Sequence, residues 1–287
     1  MTPGRSQAWF APAAAYAVLA PSALLVLLPF AWLACAALKR NEDFFTSLFL
    51  PAGDGFLGVA WGRLTLEHVR KLFTELGIGR ALLNSCFLAS STAIIASLAA
   101  AMGGFALARL RFAGRRSVEA LVLAAIIIPP PLLLAPSFQL LFHLRLLDTM
   151  AGLILPAAAP AFGVYLFRQA TLSAVPGELL EAARIDGCGD VRAFFSIGLP
   201  LVMPMFSAFV MITFLGTWNN FITPQVVLQT PSQFPLAVSV AQFRGVYYQE
   251  YGLLMAGTLV SVLPVLALFL LLQRDFIRGL TSGAIKG

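Results

Sequence analysis

The sequence predicts an all-α membrane protein with six transmembrane helices, and three observations predict it. The mean hydropathy is +0.86. Hydrophobic residues make up 59% of the 287 and charged residues only 11%, against roughly 25% charged in a soluble domain. Six apolar runs are each long enough to cross a bilayer, which takes about 20 helical residues. A water-soluble fold of this length could not hide so much apolar surface. In lipid the backbone satisfies its own polar groups by forming helices.

The runs cover residues 13–38, 81–108, 118–142, 151–170, 197–222 and 251–273. The first has Arg5 ahead of it and Ala34-Cys35-Ala36 near its end, as a secretory leader would. Its apolar stretch is too long for a leader core and further spans follow, so an uncleaved anchor is expected. Residues 1–12 then form an N-terminal tail and residues 39–80 a segment between the first two spans. Residues 81–273 form a five-helix core holding a loop at 171–196, and residues 274–287 a C-terminal tail.

Basic residues orient the bundle. Arg109, Arg111, Arg115 and Arg116 follow the second span, and Arg168, Arg184 and Arg192 lie at or beyond the end of the fourth. Arg274, Arg278 and Lys286 follow the sixth, and Arg5 precedes the first. Six spans put all four groups on one side, so both termini are expected in the cytoplasm. The segment 39–80 is also basic, but Glu42, Asp43, Asp54, Glu67 and Glu75 accompany its positive charges, and it is read as a small folded outer segment. The net charge of +6 is explained by these loops. No basic stripe interleaved with aromatics points to a nucleic-acid partner.

Proline interrupts four spans: Pro129-Pro130-Pro131 and Pro136 in the third, Pro156 and Pro160 in the fourth, Pro204 in the fifth and Pro264 in the sixth. Each removes a backbone donor and kinks its helix. Broken helices at membrane depth are tolerated where they line a cavity. Polar residues in or near spans, Asn84, Gln139, Asn219 and Asn220, are the candidates for a solute path; hydrogen bonding between helices is the alternative.

Catalytic chemistry is not expected. Lys39, Lys71 and Lys286 are the only lysines, and none sits in a phosphate-binding loop. No metalloprotease pair or nucleophile elbow occurs. Cys35, Cys86 and Cys188 lack a disulfide framework, and His68 and His143 are isolated, so no metal is expected. The span interiors hold no acidic residue of the kind ion-coupled carriers use, and Glu119 stands at a span end. A pump of this composition draws its energy from a partner.

The loop after the fourth span carries the functional argument. Pro176 suits a helix start, and Glu178 and Glu181 suit its first turns. Gly187 suits a left-handed helix end, and Asp190 is expected to cap a second helix through Phe194 and Phe195. Leu179 and Ala183 share a face, and the small Ala182 and Ala183 permit close approach to a groove or a lipid surface. The pattern E-A-A-x3-G-x9-I-x-L-P is met by Glu181, Ala182, Ala183, Gly187, Ile197, Leu199 and Pro200. This resembles the cytoplasmic coupling-loop signature of membrane subunits of bacterial ABC importers.

Further stretches resemble the carbohydrate-importer permeases related to the second membrane subunit of the maltose transporter. They are Thr65 to Phe73 with Asn84-Ser85, Ala108 to Arg115, Trp218-Asn219-Asn220, and Gln273 to Gly287. Residues 49–61 depart from that pattern. The resemblance implies the type I importer permease fold. It implies a heterodimer with a related permease, two ABC ATPase subunits that bind ATP and Mg, and an extracytoplasmic solute-binding protein. It implies that Glu181, Ala182, Ala183, Asp186 and Gly187 seat in an ATPase cleft, with Gly279, Thr281 and Lys286 of the tail as further candidate contacts. The expected solute is a sugar or oligosaccharide. An importer of glycerol 3-phosphate or another polar metabolite shares the architecture, and an ion-coupled carrier fits less well.

Overall fold

The computed structural model of the chain describes residues 7–246 and 250–282. Among them, three helices are long and apolar enough to cross a membrane alone: Ala15–Leu38, Ile78–Arg109 and Tyr251–Leu271. Three bent helix pairs meet the same test as pairs, which makes six spans when each pair counts as one. The chain divides into two compact units, residues 1–78 with 240–262 and residues 79–239 with 263–287.

In the first unit, α1 (Gln7–Leu38) exposes every side chain from Ala15 to Ala31, as a lipid-facing helix does. Its last turn is enclosed instead: Ala36, Ala37 and Lys39 are buried. Lys39 forms an antiparallel bridge to Leu64, and the Thr65 amide donates to the Leu38 carbonyl at 2.8 Å. The Thr65 hydroxyl accepts from the Glu67 amide at 3.0 Å as α2 (Glu67–Thr74) begins. This helix buries Leu72 and His68. The His68 ring lies 2.9 Å from the Lys39 carbonyl and fills the place a Cβ on Gly252 would take, 2.3 Å from Nε2. Lys71 Nζ reaches both Glu250 carboxylate oxygens at 2.9 Å.

The second unit starts from α3 (Ile78–Arg109), whose alanine and glycine face admits close neighbours. A Cβ on Gly104 would stand 2.6 Å from the Arg168 amide nitrogen. The run expected as one span at 118–142 is two helices. α4 (Arg115–Ile127) stops because Ile128 precedes proline and is extended at ψ 118°, as the Pro ring requires. A 3-10 turn, Pro130–Leu133, leads into α5 (Leu134–His143), and the axis turns through 99°.

The fourth span is α6 (Met150–Ala157) and α7 (Ala161–Ala174), bent by 42° where Pro160 takes the N-cap position. The fifth begins before the bend: the chain turns 83° at Val202 between Asp190–Leu201 and Met203–Trp218. Prolines stand at or beside these three breaks, but the sixth span is one helix, Tyr251–Ser282, which runs through Pro264 without the expected interruption. A core of Phe105, Phe167, Val175, Leu180, Phe194 and Phe209 joins these helices.

Candidate docking loop and cavity

The loop after α7 is rigidly built. Arg109 Nη2 donates to the Leu172 carbonyl at 3.2 Å and to that of Val175, supplying partners to the end of α7. Pro176 takes the N-cap position of α8 (Gly177–Ile185), with Glu178 in its first turn. The helix ends in a Schellman motif: the Gly187 amide donates to Arg184 at 3.0 Å and the Cys188 amide to Ala183 at 2.8 Å. Gly187 has φ +78°, as expected of a helix-ending glycine.

The cap beyond it differs from expectation. Gly189 is the N-cap of α9 (Asp190–Ala193), and Asp190 is its first residue. Its carboxylate pairs with Arg184 at 3.2 Å, because the tight turn brings that guanidinium closer than the helix amides. A π-helical turn, Phe194–Gly198, follows without a break.

Glu181, Ala182, Asp186 and Gly187 are exposed and Ala183 is half-buried. Exposed large apolar side chains on α8 and the start of α9 include Leu179, Ile185 and Val191, with Ile185 at 87%. Leu179, Ala182 and Ile185 recur at i, i+3 and i+6 and form the outward ridge, so Leu179 pairs with Ala182 rather than Ala183. Leu180 points the other way into the core with Val175, Ala193 and Phe194, and Phe194 packs edge-on to Phe105 at 5.5 Å. Of the tail candidates, Gly279 and Thr281 belong to the last turns of the C-terminal helix Tyr251–Ser282, and Lys286 lies outside the described residues.

A cavity of about 310 Å³ opens in the second unit where the spans break, beside Pro130, Pro156 and Pro224. Thr92, Ser137, Thr217, Asn220 and Thr223 supply its polar groups. The Thr92 hydroxyl is buried with no hydrogen-bond partner. Asn220 is the one solute-path candidate that borders it, and its Oδ1 also accepts from the Thr223 amide at 3.2 Å.

Of the other three candidates, two have structural duties and none borders the cavity. Asn84 Nδ2 donates to Ser232 and Phe234 carbonyls at 3.0 and 3.1 Å. Asn219 donates to Leu215 of its own helix at 3.0 Å, and Gln139 is exposed. The hydroxyls at 92, 217 and 223 escaped sequence reading because Ser and Thr in apolar helices ordinarily bond their own backbone.

The opposite end of α6 is fastened by Asp148. Its Oδ1 accepts from the Gln229 and Thr230 amides, each at 2.9 Å, and the Thr230 hydroxyl donates to Oδ2. That hydroxyl, then the two amides, hold the carboxyl below its usual range. A lowered value means the stabilisation is present above about pH 4, the ordinary carboxylate value, and is lost as pH falls through the folded-state value. Asp148→Ala is therefore expected to lower the melting temperature by a few degrees at pH 7. The gap to wild type should close in acid, which thermal melts in detergent from pH 7 to 3 would show.

Comparison with known proteins identifies the family. The family model described as "Binding-protein-dependent transport system inner membrane component" matches residues 93–281. The chain is 39% identical over 225 residues to the arabinooligosaccharides transport system permease protein AraQ of Halalkalibacterium halodurans, covering 78% of this chain and 80% of that one. It is 32% identical over 278 residues to the diacetylchitobiose uptake system permease protein NgcG of Streptomyces coelicolor, covering 96% and 89%. It is 28% identical to the lactose transport system permease protein LacG of Rhizobium radiobacter, covering 94% and 95%.

A crystal structure of a bacterial ABC transporter that imports the acidic polysaccharide alginate contains a similarly folded chain, with TM-score 0.76, 20% identity and coverage of 96% and 99%. At that identity the likeness shows the fold alone. From the family match and these relatives, the chain belongs to the family of inner-membrane components of binding-protein-dependent transport systems, as a multi-pass permease subunit.

Proposed function

We propose that this subunit imports a sugar or oligosaccharide and that α8 receives the driving force from a separate ABC ATPase. One observation carries the reading. The same short helix presents Glu181 and Ala182 outward, with Gly187 exposed just past its end, and roots Leu180 in the core of α3, α7 and the fifth span. A displacement of α8 must then move the bent spans, since a packed core transmits strain rather than absorbing it. ATP and Mg belong to two ATPase chains, a second related permease completes the path, and the extracytoplasmic binding protein delivers the solute. Both termini face the cytoplasm. Relatives named for arabinooligosaccharide, lactose and diacetylchitobiose transport support the solute class. The hydroxyls and amide set into the cavity's apolar wall suit a polyhydroxylated solute, with Asn220 and Thr217 as contacts.

The test is uptake of labelled oligosaccharides by proteoliposomes holding the chain with its co-expressed transporter subunits and binding protein. Uptake should require ATP and survive a protonophore, and a cysteine at Ala182 should crosslink to the ATPase. Uptake that ignores ATP and collapses with the ion gradient would reject the reading. In the same assay Thr217→Val, which removes a half-buried hydroxyl from the cavity wall, is expected to raise the KM for uptake several-fold.

A further inference from the structure

A drive received at α8 needs a stiff element to carry it to the cavity. The third, fourth and fifth spans are each broken, whereas α3 runs from Ile78 to Arg109 without interruption. Two of its residues, Leu88 and Thr92, stand in the cavity wall. Its last residue, Arg109, lies about 25 Å further along the helix axis from Thr92.

Arg109 grips the root of α8. Its Nη2 donates to the Leu172 and Val175 carbonyls, which the end of α7 leaves without helical partners. Val175 is extended, with φ −110° and ψ 102°, because Pro176 follows it. It is also 1% exposed, so the gripped backbone is enclosed by the core. Nη1 lies 3.9 Å from the place of a Cβ on Gly177, the first residue of α8. One planar guanidinium therefore spans the last turn of α7 and the start of α8, and fixes direction as well as distance. Its Nε is buried without a hydrogen-bond partner among the described residues. A buried donor with no acceptor costs stability, so stability alone does not account for an arginine at this position.

The grip continues into tight packing. A Cβ on Gly104 of α3 would stand 2.6 Å from the Arg168 amide nitrogen, and one on Gly163 of α7 3.0 Å from Ala100 Cβ of α3 and 2.5 Å from Phe209 Cζ. At such separations α7 cannot slide along α3, since a packed interior has no slack to absorb the shift. Past Pro160 the fourth span turns away by 42°, so α7 does not itself extend the movement in a straight line. α3 does.

We propose that Arg109 is a positioning residue that locks the docking loop to α3, and that α3 is the lever carrying displacement of α8 to Leu88 and Thr92. The inference rests on the reading that α8 receives its drive from the ATPase. Arg109 touches neither solute nor nucleotide in this scheme.

The test uses the chain with its co-expressed transporter subunits and binding protein in proteoliposomes. Arg109→Gln loses the fork, and Arg109→Lys keeps the charge without it. Arg111→Gln is the control, an exposed arginine two residues on. Each is combined with Ala182→Cys carrying a photoreactive label, and Cys35, Cys86 and Cys188 are replaced. Four quantities are read: subunit in the membrane, crosslinking of position 182 to the ATPase, stimulation of ATP hydrolysis by the binding protein, and uptake. In Arg109→Gln, uptake should fall at least fivefold and stimulation at least twofold, with crosslinking, basal hydrolysis and the KM for solute unchanged. Arg109→Lys should recover less than half of the lost uptake, and Arg111→Gln should match the parent. Should Arg109→Gln fail to reach the membrane, Arg109→Lys carries the test with the same readouts. Undiminished uptake would overturn the inference. Loss of uptake together with the crosslink would also overturn it, since Arg109 would then only hold α8 in place for docking. Full recovery by lysine would do the same, because charge alone would suffice. Absence of the crosslink with Arg109 intact would instead reject the docking reading, and the inference with it.

Discussion

Gly187→Val is expected to cut solute uptake to below a tenth of wild type while leaving the amount of subunit in the membrane unchanged. No atom lies within 4 Å of a Cβ placed there, so crowding is not the cause. The backbone is: φ +78° is strongly unfavourable for a β-branched residue, with a strain of about 1–3 kcal/mol. Relief of that strain breaks the hydrogen bonds from Gly187 to Arg184 and from Cys188 to Ala183. α8 and α9 then change direction relative to one another, and the edge at Glu181 to Gly187 loses its shape. Gly187→Asn is the control, because asparagine tolerates this conformation, and it should retain most uptake. Binding-protein-stimulated ATP hydrolysis should fall with uptake in the valine variant. Undiminished uptake by Gly187→Val would remove the docking role from this turn.

Gly104→Val is expected to fail earlier, at folding. A Cβ at this position would meet the Arg168 amide nitrogen and Phe167 Cβ, both at 2.6 Å, and the Phe167 carbonyl carbon at 2.7 Å. Two of these three atoms are backbone, so α3 and α7 must separate rather than a side chain turn aside. Phe167 is fully buried and packs against Phe209 at 5.5 Å, so the shift spreads through the core that roots α8. Overpacking of this kind costs about 1–3 kcal/mol, which corresponds to a melting temperature lower by about 2–12 °C, with less subunit recovered from membranes. Gly216→Val is the comparison, because a Cβ there meets open space. Equal melting temperatures for the two variants would show that α3 and α7 do not depend on this close approach.

The loop was legible because its signals are local. Pro176, Gly187 and the Glu181-Ala182-Ala183 triplet each constrain their own turn of backbone, and the structure places helix start and helix end as their chemistry suggests. Asp190 was misjudged because two groups competed for one carboxylate. The helix amides and the Arg184 guanidinium were both plausible partners, and only the turn geometry brought Arg184 to 3.2 Å. The hairpin at residues 51–60 resembled nothing in sequence. Its stem depends on which two glycines face Ala60 and Val59, a pairing that alternation of residue types does not specify.

By itself the sequence determined that this chain crosses a membrane in about six passes, that proline lies in four of them, and that the loop at 171–196 bears an importer signature. Run length, proline chemistry and motif spacing act within a few residues, so they are readable without neighbours. Only the tertiary structure decided which polar groups share a space. It turned Asn84, Gln139 and Asn219 away from the cavity and brought Thr92, Thr217 and Asn220 to it. The physical reason is the bends of 99°, 42° and 83°. Each re-aims half a helix, so the face a side chain presents depends on packing between spans distant in sequence.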